Sequence, residues 1–418
     1  MTRSSLHVRS LHRLGARLLG AVCVAALLSA GMSASAVALP ARPLGMTGLP
    51  TTLGVRVSGN HLVNAAGRPV RLLGVDRLGT EYACVQGWGI FDGPFDAASV
   101  AAIVSWHADA VRLTLNEDCW LGINGVAPEY SGSTYLQAIA AFVGLLNSRG
   151  IIVVLDLHWS APGTSLATGQ QDMADASHSI AFWSSVASTF KGDSGVVFDL
   201  YNEPHTISWT CWLGGCMTPG GWQAAGMQTL LDAVRAAGAR QPVMVEGLDW
   251  GGTLSGWTSH EPVDPLHQLI ASVHVYNFSG CNTSSCWSAN YAPVAARVPV
   301  VTGELGENDC ADGFIDSYMT WADAAGVSYL GLAWDAGGGW TCSGGPTLIT
   351  SYTGAPTPMG AGLESRLAFL ASTTHTLTVR VVARLKSPHV VPLPGERLPG
   401  PSGPFRRDGP RVQSTPSG

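Results

Sequence analysis

Eight short β-branched runs recur along the chain, each followed by a longer stretch, and this rhythm narrows the fold more than any other feature. The runs are Arg71–Val75, Ala110–Leu115, Ile151–Leu157, Val196–Tyr201, Pro242–Glu246, Ala271–Tyr276, Val298–Gly303 and Val327–Trp334. Helix-like stretches lie at Ala97–Trp106, Thr134–Arg149, Ile180–Phe190, Gly221–Ala239, Ile315–Ala324 and Leu363–Leu370. The stretches after the fifth and sixth runs are weak as helices. Strands that alternate with helices build a parallel sheet whose outer face the helices cover. Eight such units over about 300 residues predict an α/β fold, a (β/α)8 TIM barrel, as one catalytic domain. A doubly wound open sheet is the alternative. That fold carries a Gly-rich phosphate loop after its first strand, and the loop here reads DRLGTEYAC. Residues 55–75 read as a short N-terminal hairpin leading into the first strand, with turn signals at Ser58-Gly59-Asn60 and Ala66-Gly67.

The two ends of the chain break this rhythm. Arg3, Arg9, Arg13 and Arg17 precede the apolar stretch Leu18–Ala30, which is too short to span a bilayer, and Ala34-Ser35-Ala36 supplies a cleavage signal. The predicted organisation is a signal peptide over 1–36, a linker over 37–54, the barrel over 55–372, and a disordered, basic, Pro-rich tail over 373–418. A carbohydrate-binding module is a competing reading of the tail, which has no Trp or Tyr. The protein is therefore expected to be secreted and extracellular, with no membrane association after cleavage. Beyond Cys23 in the signal segment, eight cysteines remain, an even number that points to disulfides in an exported chain. Cys211–Cys216 and Cys281–Cys286 would close small loops; Cys84–Cys119 and Cys310–Cys342 would be longer staples. Sequence alone leaves the pairing open. Zinc is the competing reading, but the spacing is C-x4-C rather than C-x2-C. The basic residues gather at the two ends and leave the middle strongly acidic. That balance argues against nucleic acid as a partner and suits a neutral substrate.

Polar residues collect where the runs end. The second carries Arg112 and runs into Asn116-Glu117-Asp118. The third ends with Asp156, His158 and Trp159, and the fourth with Asn202, Glu203 and His205. His274 and Tyr276 lie on the sixth, Glu304 follows the seventh, and Trp334 closes the eighth. The C-terminal ends of the strands are the functional face of a barrel. Two carboxylates from distant parts of the chain, Glu203 and Glu304, point to glycoside hydrolysis. One protonates the leaving oxygen, while the other attacks the sugar carbon or activates water. Their environments must differ so that one stays protonated. Glu307 competes with Glu304, but Glu304 directly ends the apolar run VPVVTG. Glu246 and Glu81 are read as loop hydrogen bonds or subsite contacts. His107, His178 and His260 lie away from strand ends and are read as structural or exposed. No G-x-S-x-G elbow follows a strand, no H-x-H metal spacing occurs, and neither a metal nor a cofactor is expected.

VVFDLYNEPH, HVY and VVTGELGE resemble the signatures of family 5 glycoside hydrolases, the cellulase family. The resemblance runs from about residue 55 to 372. It implies retaining hydrolysis of β-linked glycans by double displacement. Glu203 would be the acid and then the base, and Glu304 the nucleophile. Asn202 would bond the sugar 2-hydroxyl. Arg112 and Tyr276 would orient Glu304 and keep it ionised, while His158 and His274 would line the −1 subsite. Trp334 would lie under that sugar as a platform. The two carboxyls should be about 5–5.5 Å apart. NEDCWLG after strand two goes beyond the family's common core and leaves the substrate open.

The chain holds fourteen Trp. Ten of them, Trp88, Trp120, Trp159, Trp209, Trp212, Trp250, Trp257, Trp287, Trp334 and Trp340, fall in or near loops that follow strands. Flat rings there can pack on the C–H faces of pyranoses, although core filling explains any single one equally well. Trp106, Trp183, Trp222 and Trp321 are assigned to packing. The first expected substrate is β-1,4-glucan, so the chain reads as a cellulase-like endoglucanase and a monomer. Xylan, mannan and xyloglucan remain open, as do a transglycosylase and a non-catalytic sugar-binding barrel.

Overall fold

The computed structural model describes residues 53–337, 342 and 345–386, with side chains described as far as residue 373. The expected signal peptide, nearly all of the linker and Trp340 lie outside the described residues. Eight parallel strands close into a barrel, each paired with its neighbours in chain order. They are β1 (Leu73–Arg77), β2 (Ala110–Asn116), β3 (Ile152–Trp159), β4 (Val196–Asp199), β5 (Val243–Glu246), β6 (Leu269–Tyr276), β7 (Val300–Gly306) and β8 (Ser328–Gly331). Closure comes from the pairing of β8 with β1, where Tyr329 faces Leu73. Every one of the eight predicted runs contains or overlaps its strand. Nearly all strand residues are buried, as they must be when side chains fill the barrel on one face and helices cover the other.

Period-two alternation layers the interior. Ala110, Ile152, Val154, Val197, Met244, Ile270, Val301 and Leu330 form one apolar cluster with Val55, Val57, Leu62 and Leu72. The N-terminal strands Val55–Ser58, His61–Asn64 and Pro69–Val70 form a three-stranded sheet whose apolar side chains join that cluster and close the bottom of the barrel. One inward position further up, the same strands carry Asp76, Arg112, Asp156, Asp199 and Glu246, all fully buried. Polarity therefore rises from the floor toward the strands' C-terminal ends.

Helices Ala97–Ser105, Ser133–Ser148, Ser179–Phe190, Met227–Ala236 and Gly313–Ala325 follow β1, β2, β3, β4 and β7. The predicted helix 221–239 begins only at Met227. Ahead of it, bridges Met217↔Gln223 and Asp175↔Ala224 hold the chain extended. Gly226 lies so close to the preceding turn that a Cβ would come 2.3 Å from Leu213 O. After β5 there is only a 3-10 turn, Trp257–His260, and after β6 two short helices, Ser284–Asn290 and Ala292–Ala295, where the sequence is weak in helical signal. The last helix, Pro358–Lys386, runs past the expected tail boundary at 373. Residues 387–418 lie outside the described residues. Among the described residues no helix is long and apolar enough to cross a membrane.

All eight cysteines beyond the signal segment pair: Cys84–Cys119, Cys211–Cys216, Cys281–Cys286 and Cys310–Cys342. The two long staples join adjacent strand-end loops, after β1 and β2 and after β7 and β8.

Candidate active site

A cleft of about 660 Å³ opens at the C-terminal ends of the strands. Glu203, Glu304, Asn202, His158, Trp159 and Tyr276 line it, together with Glu81, Tyr82, Trp88, Gln170, Trp250, Phe278 and Leu332. One carboxylate oxygen of Glu203, one of Glu304 and one ring nitrogen of His274 lie within 4.8 Å of one another. The chain thus brings together two acids a hundred residues apart.

The two acids sit in different surroundings. Arg112 Nη1 donates to Glu304 Oε1 at 2.9 Å, and the Tyr276 hydroxyl donates to Oε2. Both oxygens of Glu304 therefore meet strong donors, a setting suited to an anion. Glu203 Oε1 instead meets the His274 ring, whose Nδ1 lies 3.0 Å away. Burial pushes the Glu203 pKa up to about 7, outweighing the opposing fields of His158 and Arg112. Arg112 is itself fully buried and forms ion pairs with Asp76, Asp156 and Asp199 as well as Glu304, at 2.8 to 3.0 Å. Its Nη2 also donates to Asn202 Oδ1 at 2.9 Å. Burial lowers the basicity of His158, but the hydrogen bond and charge of Asp156, 2.7 Å away, more than reverse this and raise its pKa to about 9. A cationic imidazole thus faces the cleft at neutral pH. Burial depresses His274 to about 3, so that ring is neutral between the two glutamates.

The main chain at Glu203 is held on both sides. Its φ is +53°, left-handed backbone that costs a non-glycine residue roughly 1–3 kcal/mol. Its N–H donates to Glu246 Oε2 at 3.1 Å. His205 Nδ1 donates to its carbonyl at 2.9 Å. Gln170 bonds the neighbouring Asn202 carbonyl, and its Oε1 accepts from Asn202 Nδ2 at 2.9 Å. Sequence reasoning missed Gln170, which lies in the long loop after β3 and carries no local motif.

Three expectations need correction. Trp334 does not lie under the cleft. It is fully buried and packs edge-on against Trp106, with centroids 4.8 Å apart. The sheet ends at Gly331, so strand alternation no longer governs which way later side chains point. Leu332 instead takes the cleft-facing position, in an apolar cluster with Tyr82 and Tyr276. Second, His274 does not line the cleft wall; it is fully buried behind the two glutamates, as Arg112 also is. Third, most of the predicted aromatic groove is core. Trp120, Trp212, Trp257 and Trp287 are buried, and Trp209 packs on Trp212. Among the described residues, Trp88, Trp159 and Trp250 are the tryptophans that reach the cleft, joined by Tyr82 and Phe278, which the pattern of Trp alone did not reveal. Glu307 turns away to accept the N–H of Ile315 at 2.7 Å at the start of helix Gly313–Ala325, so its carboxyl serves as a helix bond.

Glu203, His274 and Glu304 lie close enough to enclose a cation. The oxygens of Glu304 are, however, already engaged by Arg112 and Tyr276.

Against known proteins, residues 63–338 match the family model "Cellulase (glycosyl hydrolase family 5)". The chain belongs to that family. Endoglucanase CelA of Streptomyces lividans is 24% identical over 338 residues, which cover 77% of this chain and 66% of the relative. A mannan endo-1,4-beta-mannosidase of the same organism is 27% identical over 299 residues, covering 68% and 67%. The chain thus spans about two thirds of the length of each. Among solved structures, the same barrel fold recurs in beta-glucanase SdGluc5_26A from Saccharophagus degradans in complex with cellotetraose. Its TM-score is 0.59 at 18% identity, covering 80% of this chain and 98% of that one. It recurs again in the catalytic domain of the major endoglucanase from Xanthomonas campestris, at TM-score 0.58 and 20% identity, covering 75% and 99%.

Proposed function

We propose that this family 5 protein is a secreted, retaining hydrolase of β-linked glycans, with β-1,4-glucan as its substrate. The observation that carries the reading is the close approach of Glu203 and Glu304 in unlike surroundings. Retaining glycosidases place their carboxyls about 5–5.5 Å apart, while inverting enzymes leave room for a water between them. Glu203, protonated near neutral pH, gives its proton to the glycosidic oxygen. Glu304 attacks the anomeric carbon as the C–O bond breaks, and the aglycone leaves as an alcohol. Glu203, now ionised, takes a proton from water, and the resulting hydroxide displaces Glu304 to release a sugar of unchanged configuration. Asn202 bonds the 2-hydroxyl through its Nδ2. The cationic His158 borders the same sugar.

A second substrate, mannan, has its own support: a mannan endo-1,4-beta-mannosidase stands beside the endoglucanase among the relatives. A panel of β-glucan, mannan and xylan polymers with product sizing decides between them. Glu304→Gln should abolish turnover while oligosaccharide binding persists. Turnover on none of the polymers by the native protein would overturn the hydrolase reading in favour of a sugar-binding barrel.

A further inference from the structure

Glu246 ends β5 with its side chain inside the barrel, fully buried. The reaction described above gives it no role. Its Oε2 accepts the Glu203 N–H at 3.1 Å and lies 3.3 Å from His274 Nε2, in close packing outside hydrogen-bond geometry. The other nitrogen of that ring, Nδ1, is 3.0 Å from Glu203 Oε1 and 3.2 Å from Glu304 Oε2. One carboxyl therefore touches both the main chain of one glutamate and the ring that contacts both.

The surroundings keep it there. Its Oε1 has no hydrogen-bond partner and rests against Gly251, where a Cβ would come within 2.0 Å. Gly251 has φ +70°, and its carbonyl accepts the His274 N–H at 3.0 Å. Trp212 Nε1 donates to the Glu246 carbonyl at 2.8 Å. Burial first, and then the neighbouring Asp199 carboxylate, push Glu246 well above the usual carboxylate range. Glu203 needs such a partner. Its left-handed backbone, at φ +53°, costs energy to hold, and the Glu246 oxygen is the acceptor that its N–H meets there.

We propose that Glu246 is a positioning residue: it holds the Glu203 peptide and the His274 ring so that the Glu203 carboxyl points at the leaving oxygen. This rests on the reading of Glu203 as the acid. The test exploits leaving groups that need no proton. The probes are a β-1,4-linked oligosaccharide and 2,4-dinitrophenyl β-cellobioside, or the mannan equivalents where the polymer panel selects mannan. kcat/KM is measured on the mature full chain for Glu203→Ala, Glu246→Leu and Glu246→Gln.

Glu203→Ala should lose on the order of 10²–10⁴-fold on the oligosaccharide and little on the dinitrophenyl glycoside. Glu246→Leu should show the same signature in weaker form, with about 10- to 100-fold lost on the oligosaccharide only. Glu246→Gln keeps an oxygen for the Glu203 N–H and should restore most of that loss. Gly251→Ala pushes on the same carboxyl and supplies the same readout where Glu246→Leu does not fold. Equal losses on both substrates for the Glu246 and Gly251 variants would make Glu246 a packing residue and overturn the proposal. No leaving-group dependence in Glu203→Ala would instead overturn the assignment of the acid.

Discussion

Glu203 sets the pH dependence to be expected of this site. The acid must enter the reaction protonated, and burial holds its pKa at about 7. kcat/KM should fall as pH rises through about 7, and a pH-rate profile on an oligosaccharide checks this. The same group links pH to stability. Its folded pKa lies above the unfolded value of about 4.3, so its contribution is fully present below that value and lost as pH rises through about 7. Glu203→Gln should therefore gain melting temperature relative to native progressively between about pH 4.5 and 7, read by thermal melts across that window. Trp250 carries a different test. It is 50% exposed and stacks on His205 with centroids 3.5 Å apart, which leaves one ring face to the cleft. Trp250→Ala should raise KM about 2- to 10-fold with kcat little changed.

The strand-end loops are elements in their own right, and the disulfides decide how firmly they are held. Cys84–Cys119 and Cys310–Cys342 join residues 35 and 32 positions apart in sequence, whereas Cys211–Cys216 and Cys281–Cys286 each join residues 5 apart. Chain-entropy arguments give ~4 kcal/mol for the long staples and ~2 kcal/mol for the short ones. Cys84→Ala/Cys119→Ala should thus lower stability about twice as much as Cys211→Ala/Cys216→Ala, measured by denaturant titration. The strands themselves show why position in an element matters. On β3, Ile152 and Val154 fill the apolar floor, while Asp156 and His158 on the same face reach the polar layer and the cleft. One strand serves core and site because its inward residues climb the barrel.

At the scale of the whole molecule, the buried charge around Arg112 links stability to function. One guanidinium meets four carboxylates drawn from β1, β3, β4 and β7. Removing it leaves several acids buried without a partner, which costs roughly 3–5 kcal/mol for a broken buried pair. Arg112→Leu should both inactivate the protein and lower its thermal midpoint, whereas Glu304→Gln should inactivate it with a much smaller shift. Calorimetry of the two variants separates the effects. The cleft is lined by residues between Leu78 and Pro346, and truncation after Lys386 should leave turnover on the preferred polymer unchanged.

The barrel, its strand order and the pair Glu203 and Glu304 were legible in the residues alone. β-branched alternation is a local pattern, and a barrel forces every strand end onto one face, so NEP after β4 and GE on β7 had to converge. The cysteine count announced disulfides, yet only folding selected the four pairs. Other features depended on where side chains point after a strand ends. Nothing local distinguishes Leu332 from Trp334, or the exposed Trp88 from the buried Trp120, because a loop has no fixed period. Glu246 reads from sequence as one more strand-end acid. Its meeting with the Glu203 amide and the His274 ring exists only because β4, β5 and β6 lie side by side, where a few ångströms of packing choose which polar atoms share a buried space.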